Sequence, residues 1–287
     1  MNASTQSDSM IDSHQHFWRL SRGDYGWLGR DLTTLYRDFE PAHLLPHLQQ
    51  CGIRETIAVQ AAPTVEETRF LLRLAQENDF IASVVGWIDF EAPDCEGVLL
   101  GLCEQEKFVG VRPMLQDIAD PEWVMRPALA PAFEALMEAG LTFDALVRPH
   151  HLSVLLRLAE RYPGLSMVLD HAAKPNIATK SFDAWSKDVR TLARETEMVC
   201  KLSGLVTEAG VADYDSLAPY VEHVLECFGP ARVMWGSDWP VCKLVCEYGV
   251  WFELSQRLLA SLSAEEQACI YGDVARRIYG LPHSHAN

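Results

Sequence analysis

Residues 10–17 read MIDSHQHF: an apolar start, then Asp12, His14 and His16 at alternate positions. In a regular strand all three would project to one face. Seven further short apolar runs follow: ETIAVQAA (55–62), IASVVGWIDF (81–90), FVGVRPML (108–115), LTFDALVR (141–148), LSMVLDHAA (165–173), EMVCKLSG (197–204) and ARVMWGSDW (231–239). Most lack strict alternation of apolar and polar residues, which is the pattern of strands buried on both faces in a parallel sheet covered by helices. Helical patterns separate them. Thr64 and Glu67 form a capping-box pair ahead of Phe70, Leu71 and Leu74, and Leu152, Leu155, Leu156 and Ala159 repeat at helical spacing. Eight strand-plus-helix units, with no Gly-rich phosphate fingerprint after the first strand, predict a closed α/β fold of the (β/α)8 TIM barrel type. It spans 11–280, between a disordered N-terminal tail (1–10) and a C-terminal tail (281–287). The long segment 17–39, rich in Trp, Tyr, Gly and charge, follows the first strand and is a candidate lid over the barrel mouth.

Composition narrows the partners. The chain has 287 residues, 48% hydrophobic and 22% charged, an ordinary globular balance. Its formal net charge of −16 repels phosphate backbones and anionic lipid, so nucleic acid and membrane surfaces are not expected partners. The opening MNASTQSDSM lacks the basic and apolar regions of a signal peptide, and no run reaches the roughly 18 apolar residues of a membrane span. Eight cysteines without a C-x-x-C pair read as reduced thiols, which together with the missing signal predicts a cytoplasmic protein. Oligomeric state stays open.

Two imidazoles on one strand face, His14 and His16, could hold a metal. The spacing alone is weak: ten histidines in this chain give about 0.3 such pairs by chance. His283 and His285 form a second pair in the polar tail, expected to be solvated. Two more strand ends strengthen the first pair, because His171 closes the sixth run and Asp238 the eighth, where barrel enzymes keep their catalytic groups. Three nitrogens and one oxygen make a plausible zinc set, and Asp238 could also serve as general base. Arg112, before Pro113 at the end of the fourth run, could fork onto a carbonyl or carboxylate, or form a structural ion pair with Asp89 or Asp144. Gln60, His151 and Lys174 lie at similar strand ends, while His43 and His47 read as helix-surface or packing residues. Trp18, Trp27, Tyr36 and Trp123 could stack on a ring substrate or staple their loops down.

In order, the blocks IDSHQHFW, AVQAAP, GWIDF, GVRPML, FDALVRPHHL, VLDHAAKP, CKLSGLVTEA, FGPARVMWGSDWPV and IYGDVARRIYGL make the chain resemble the lactonase branch of the amidohydrolase superfamily. That branch includes sugar-acid lactonases of the fuconolactonase and rhamnonolactonase types and the pyrone-dicarboxylate lactonase. The resemblance implies a (β/α)8 barrel that hydrolyses a cyclic ester. It implies His14 and His16 as the strand-one pair, His171 and Asp238 at strands six and eight, and Arg112 on the substrate carbonyl. Binuclear members bridge two metals through a mid-barrel Lys or Glu, whereas the corresponding strands here read GVRPML and FDALVRPHH. At most one divalent ion, zinc for preference, is therefore expected on His14, His16, His171 and Asp238, and members of the branch differ in whether they need one. The expected catalytic residues are Asp238, Arg112 and His171. The expected substrate is a neutral sugar lactone, L-fucono or a similar L-sugar, fucose catabolism being the expected setting. It would be held by Gln60, His151 and Lys174 with Trp27 as the aromatic face. The alternatives are a decarboxylase of the same superfamily, the pyrone-dicarboxylate lactonase, and a non-catalytic sugar or metal binder.

Overall fold

A computed structural model describes residues 10–282. The expected tails at 1–10 and 281–287, with His283 and His285, fall almost wholly outside the described residues. Eight parallel strands run in sequence order: β1 Ile11–Gln15, β2 Glu55–Val59, β3 Ile81–Gly86, β4 Phe108–Val111, β5 Thr142–Ala145, β6 Ser166–Leu169, β7 Val199–Leu202 and β8 Val233–Trp235. Every expected apolar run supplies one. The ring closes where β1 meets the chain just after β8, through His16 N–H to the Trp239 carbonyl (2.7 Å) and Asp238 N–H to the His14 carbonyl (2.8 Å). The helices that cover the outside are α1 Pro41–Cys51, α2 Val65–Glu77, α3 Cys95–Cys103, α4 Ala130–Glu138, α5 Leu152–Arg161, α6 Asp183–Glu195, α7 Leu205–Ala209, α8 Tyr214–Phe228 and α9 Tyr248–Leu258. α10 (Ala264–Ala268) and α11 (Val274–Ile278) follow.

Two apolar clusters result. The larger packs the helices against the barrel wall. A second joins Ile11, Ile57, Val59, Val85, Val168, Val199 and Met234 from six strands to Val274, Ala275 and Tyr279 near the chain's end, so α11 plugs the base of the barrel. Residues two further along some of these strands then point inward above the plug: Asp170 follows Val168 and Lys201 follows Val199.

β1 is not regular. Asp12 pairs with Thr56 but Gln15 with Ala58, so three steps on β1 face two on β2. This bulge turns the strand between Asp12 and Gln15. The Asp12 carboxylate accepts from Ser237 N–H (2.8 Å) and Tyr248 O–H (3.0 Å) instead of joining the two imidazoles. The expectation that Asp12, His14 and His16 share one face fails for that reason. Thr64 does cap α2, taking the Glu67 N–H (3.1 Å), but the Glu67 side chain does not close the box. It turns into the protein and accepts from Tyr25 O–H (2.8 Å) and Ala61 N–H (3.2 Å), tying segment 17–39 to the barrel.

Candidate active site

The backbone at two strand ends is held in a sparsely populated conformation. His171, Ala172, Ala173 and Lys174 follow β6 with φ between 50° and 61°, and Asp238 follows β8 with φ of 55°. Each such non-glycine residue costs on the order of 1–2 kcal/mol, a strain that collects at functional sites. It aims His171 and Asp238 into the mouth. Two glycines make room: a Cβ on Gly204, itself at φ 68°, would lie 2.7 Å from the His171 ring, and one on Gly236 would lie 2.6 Å from the His14 Cβ.

The pocket they frame has a volume of about 160 Å³ and is lined by His16, Trp27, Arg112, His171, Lys174 and Asp238, with Ala61, Met114, Gln116, Asp117, Leu146 and Val241. His16 Nε2 stands 3.2 Å from Asp238 Oδ1, and His14 Nε2 3.8 Å from the same oxygen. The His14 and His171 rings lie 4.5 Å apart, and His171 Nδ1 meets Ser203 Oγ at 2.7 Å. Burial holds His171 neutral, its pKa lowered to about 4 against the pull of Asp238 and Asp170. Burial alone would raise the Asp238 carboxyl, but His171 first and then His16 and His14 hold it below the usual range, so it is ionised at neutral pH.

Beneath the pocket lies a charge network in which Lys201 is the residue that sequence reasoning missed. Its ammonium is fully buried and reaches Asp144 Oδ2 (2.6 Å), Asp170 Oδ1 (3.3 Å) and His14 Nδ1 (3.2 Å). Tyr279 O–H donates to Asp144 from the basal plug (2.7 Å). Burial would raise Asp170, yet Lys201, then His14 and Arg112, keep it well below the ordinary carboxylate value. Burial and then Lys201 push His14 well down, and Arg112 Nη1 stands 3.3 Å from its Nε2. Cationic donors thus face both nitrogens of a neutral ring.

Arg112 pairs with Asp170 (3.5 Å), not with Asp89 or Asp144 as a structural pairing would have it. Gln60 does not reach the pocket. Its amide donates to the Arg112 carbonyl (2.6 Å) while the guanidinium donates back to the Gln60 carbonyl, so Gln60 clamps Arg112 from outside the pocket lining. His151 is also displaced, because its Nδ1 accepts Arg148 N–H (3.2 Å) in a 3₁₀ turn that leads into α5, outside the pocket lining. Trp27 and Lys174 are where they were expected. Trp27 donates to the Ala61 carbonyl (2.7 Å) and forms a wall, and Lys174 lies 3.7 Å from Glu208.

The donor set suits a cation. His16 Nδ1 lies 2.8 Å from the Val59 carbonyl oxygen, which only accepts, so that nitrogen carries the hydrogen and a neutral ring aims its Nε2 lone pair at Asp238. A proton or a metal ion between them resolves the opposition, and a backbone anchor on the far nitrogen is the usual support of a metal-binding histidine. Three inward carboxylates, Asp144, Asp170 and Asp238, also outnumber the two fixed cations Arg112 and Lys201. Among the described residues the ligand atoms form two triads that share His14: His14, His16 and Asp238, and His14, Asp170 and His171. The four expected ligands are therefore close neighbours, not one compact cluster.

The family model described as amidohydrolase matches residues 11–281. An L-fucono-1,5-lactonase of Burkholderia ambifaria is 43% identical over 276 residues, 94% of this chain and 95% of that one. A crystal structure of an amidohydrolase from Burkholderia multivorans with bound HEPES is 38% identical and superposes with a TM-score of 0.89 over 96% of this chain and 100% of that one. A second crystal form of that amidohydrolase, with bound zinc, gives a TM-score of 0.88 at 38% identity over the same shares.

Proposed function

The chain belongs to the amidohydrolase family, and from that premise we propose that it hydrolyses a neutral sugar-acid 1,5-lactone, of the L-fucono type, to the free aldonate. The observation that carries this reading is the ionised Asp238, which among the described residues pairs with the His16 and His14 imidazoles and with no Lys or Arg, in a small pocket it shares with the Arg112 guanidinium. Asp238 takes a proton from water as the water attacks the lactone carbonyl. Arg112 donates to the oxygen on which charge develops, and so does His171 through Nε2, its Nδ1 being taken by Ser203 Oγ, a contribution commonly worth about 3–4 kcal/mol per donor. The proton on Asp238 then passes to the ring oxygen as the C–O bond breaks. Trp27 packs against the ring, and Lys174 binds its hydroxyls.

One divalent ion fits His16, Asp238 and His14, with His171 adjacent, and would supply Lewis-acid polarisation of the carbonyl. The zinc-bound relative supports zinc as that ion. Of these side chains, His16 and Asp238 are the best placed, since His14 has cations at both nitrogens. No helix among the described residues is long and apolar enough to cross a membrane, and the eight cysteines lie as free thiols, in keeping with a reducing, cytoplasmic setting.

Acid release from L-fucono-1,5-lactone, followed with a pH indicator with and without chelator, tests the reading. Wild type should turn over the lactone, and Asp238→Asn should lose at least about a hundredfold in kcat, the usual worth of a general base. Faster turnover of the pyrone dicarboxylate than of every neutral lactone, or release of CO₂, would overturn the substrate assignment. Near-normal turnover by Asp238→Asn would overturn the mechanism.

A further inference from the structure

We propose that the large recess beside the lactone pocket is a subsite for a neutral glycosyl group, so that the enzyme also hydrolyses aldono-1,5-lactones carrying a second sugar. This rests on the lactone-hydrolase reading. The recess has a volume of about 720 Å³, against 160 Å³ for the pocket over Asp238. Trp27, Met114 and Asp117 line both, so the two form one continuous depression. One lactone ring belongs in the smaller part, and hydrolysis of that ring leaves the larger part without a task. A 1,5-lactone closes through O5, which leaves O4 free to carry a substituent out of the pocket.

The lining fits a sugar better than any charged group. Trp87, with Trp27 at the junction, offers an aromatic face against which the C–H face of a pyranose packs, while Trp123, 7% exposed, backs the recess from the core beside Phe90. The charged side chains are Asp24, Asp89, Glu91, Asp117 and Asp120 against Arg126 alone, which disfavours an anionic occupant. Most of these are already committed: Asp24 pairs with Arg22, and Arg126 holds both Asp120 and Glu91. Asp89 and Asp117 have no cationic side-chain partner among the described residues; Asp89 Oδ1 accepts the Glu91 N–H (2.9 Å) and Asp117 Oδ2 the Gln116 amide (3.4 Å), which leaves the second oxygen of each to accept from hydroxyls. Carboxylate acceptors beside tryptophan faces make a polyhydroxy, uncharged surface the best complement.

The test measures kcat/KM for aldono-1,5-lactones that the full-length enzyme hydrolyses and for their 4-O-glycosyl derivatives, in wild type, Trp87→Ala and Trp87→Phe. Trp87 lines the recess but not the lactone pocket. The derivative should be preferred by about tenfold, within the reach of one stacked and buried sugar ring. Trp87→Ala should abolish the preference and leave the parent lactone's kcat/KM unchanged, while Trp87→Phe, which keeps an aromatic face, retains part of it. A derivative hydrolysed no faster than its parent in every pair, or a preference that survives Trp87→Ala, overturns the subsite. A stronger preference for an amino-sugar derivative than for its neutral counterpart overturns the neutral assignment. Failure to hydrolyse any parent lactone defeats the lactonase reading itself, so the two failures are told apart.

Discussion

The floor of the barrel and its rim are built on opposite terms. On the floor, His14, Asp144, Asp170, Arg112 and Lys201 come from strands or strand ends, are at most 3% exposed, and balance one another's charge across the barrel, although both Asp170 oxygens lack a hydrogen bond among the described residues. On the rim, Trp27, Lys174 and Asp117 come from loops and keep only one or two polar partners each. A floor group cannot move without uncovering a buried charge, whereas a rim group can change at little cost to the rest. Chemistry therefore belongs to the floor and to the two strained strand ends above it, and choice of substrate to the rim.

The hardest way to break that division is Lys201→Met. It leaves Asp144 and Asp170 in the barrel without their ammonium, and removing one partner of a buried ion pair costs about 3–5 kcal/mol. Urea unfolding should show a loss of that size, and Asp144→Asn added to Lys201→Met should recover part of it by removing one orphaned charge. A single variant as stable as wild type would mean that the floor is not an interdependent unit.

Much of this could be read from the sequence, and the misses have physical causes. The eight strands were legible because doubly buried strands are near-continuous apolar runs, and His171 and Asp238 because they end such runs. Lys201 also left a signal: a lysine inside VCKL, with apolar neighbours on both sides, sits in a strand that must bury it, and a buried ammonium needs carboxylates. Asp144 inside LTFDALV was the matching half. The β1 bulge leaves no comparable mark in MIDSHQHF, so Asp12 was assigned to the wrong face. Gln60 and His151 were misplaced because a strand-end position does not say whether an amide or imidazole will turn outward or bond to nearby backbone.

Glu67 joins the two regions, and its charge sharpens the comparison. Burial raises its pKa to about 7, although Tyr25, Arg22 and the Ala61 N–H favour the charged form. The folded state thus holds a proton that the unfolded chain, at 4.5, has already released. This contribution to stability is fully present below about pH 4.5 and is lost as pH rises through about 7, a total of about 3 kcal/mol. Asp12, raised to about 6, adds a slope of the same sign, so the informative quantity is the difference between wild type and Glu67→Gln. Unfolding measured between pH 5 and 8 should show that Glu67→Gln loses less stability than wild type over this range. Equal slopes in the two proteins would show that the tie between segment 17–39 and the barrel carries no titrating charge.

Lys174 is the rim's mildest test. Its ammonium lines the pocket, and its only ion pair among the described residues is the loose one with Glu208, so Lys174→Met strands no buried charge. A hydrogen bond to a ring hydroxyl is made equally to the bound lactone and to the transition state, and interactions of that kind set KM and leave kcat alone. At roughly 1 kcal/mol for such a bond, KM should rise about fivefold. Thermal unfolding should stay within about 0.5 kcal/mol of wild type, as for most substitutions that strand no buried polar group. A fall in kcat as large as the fall in kcat/KM would place the ammonium on the reacting atoms instead. Lys174 would then belong with Arg112 and Asp238, and the boundary between floor and rim would have to be drawn outside the left-handed turn at 171–174 rather than through it.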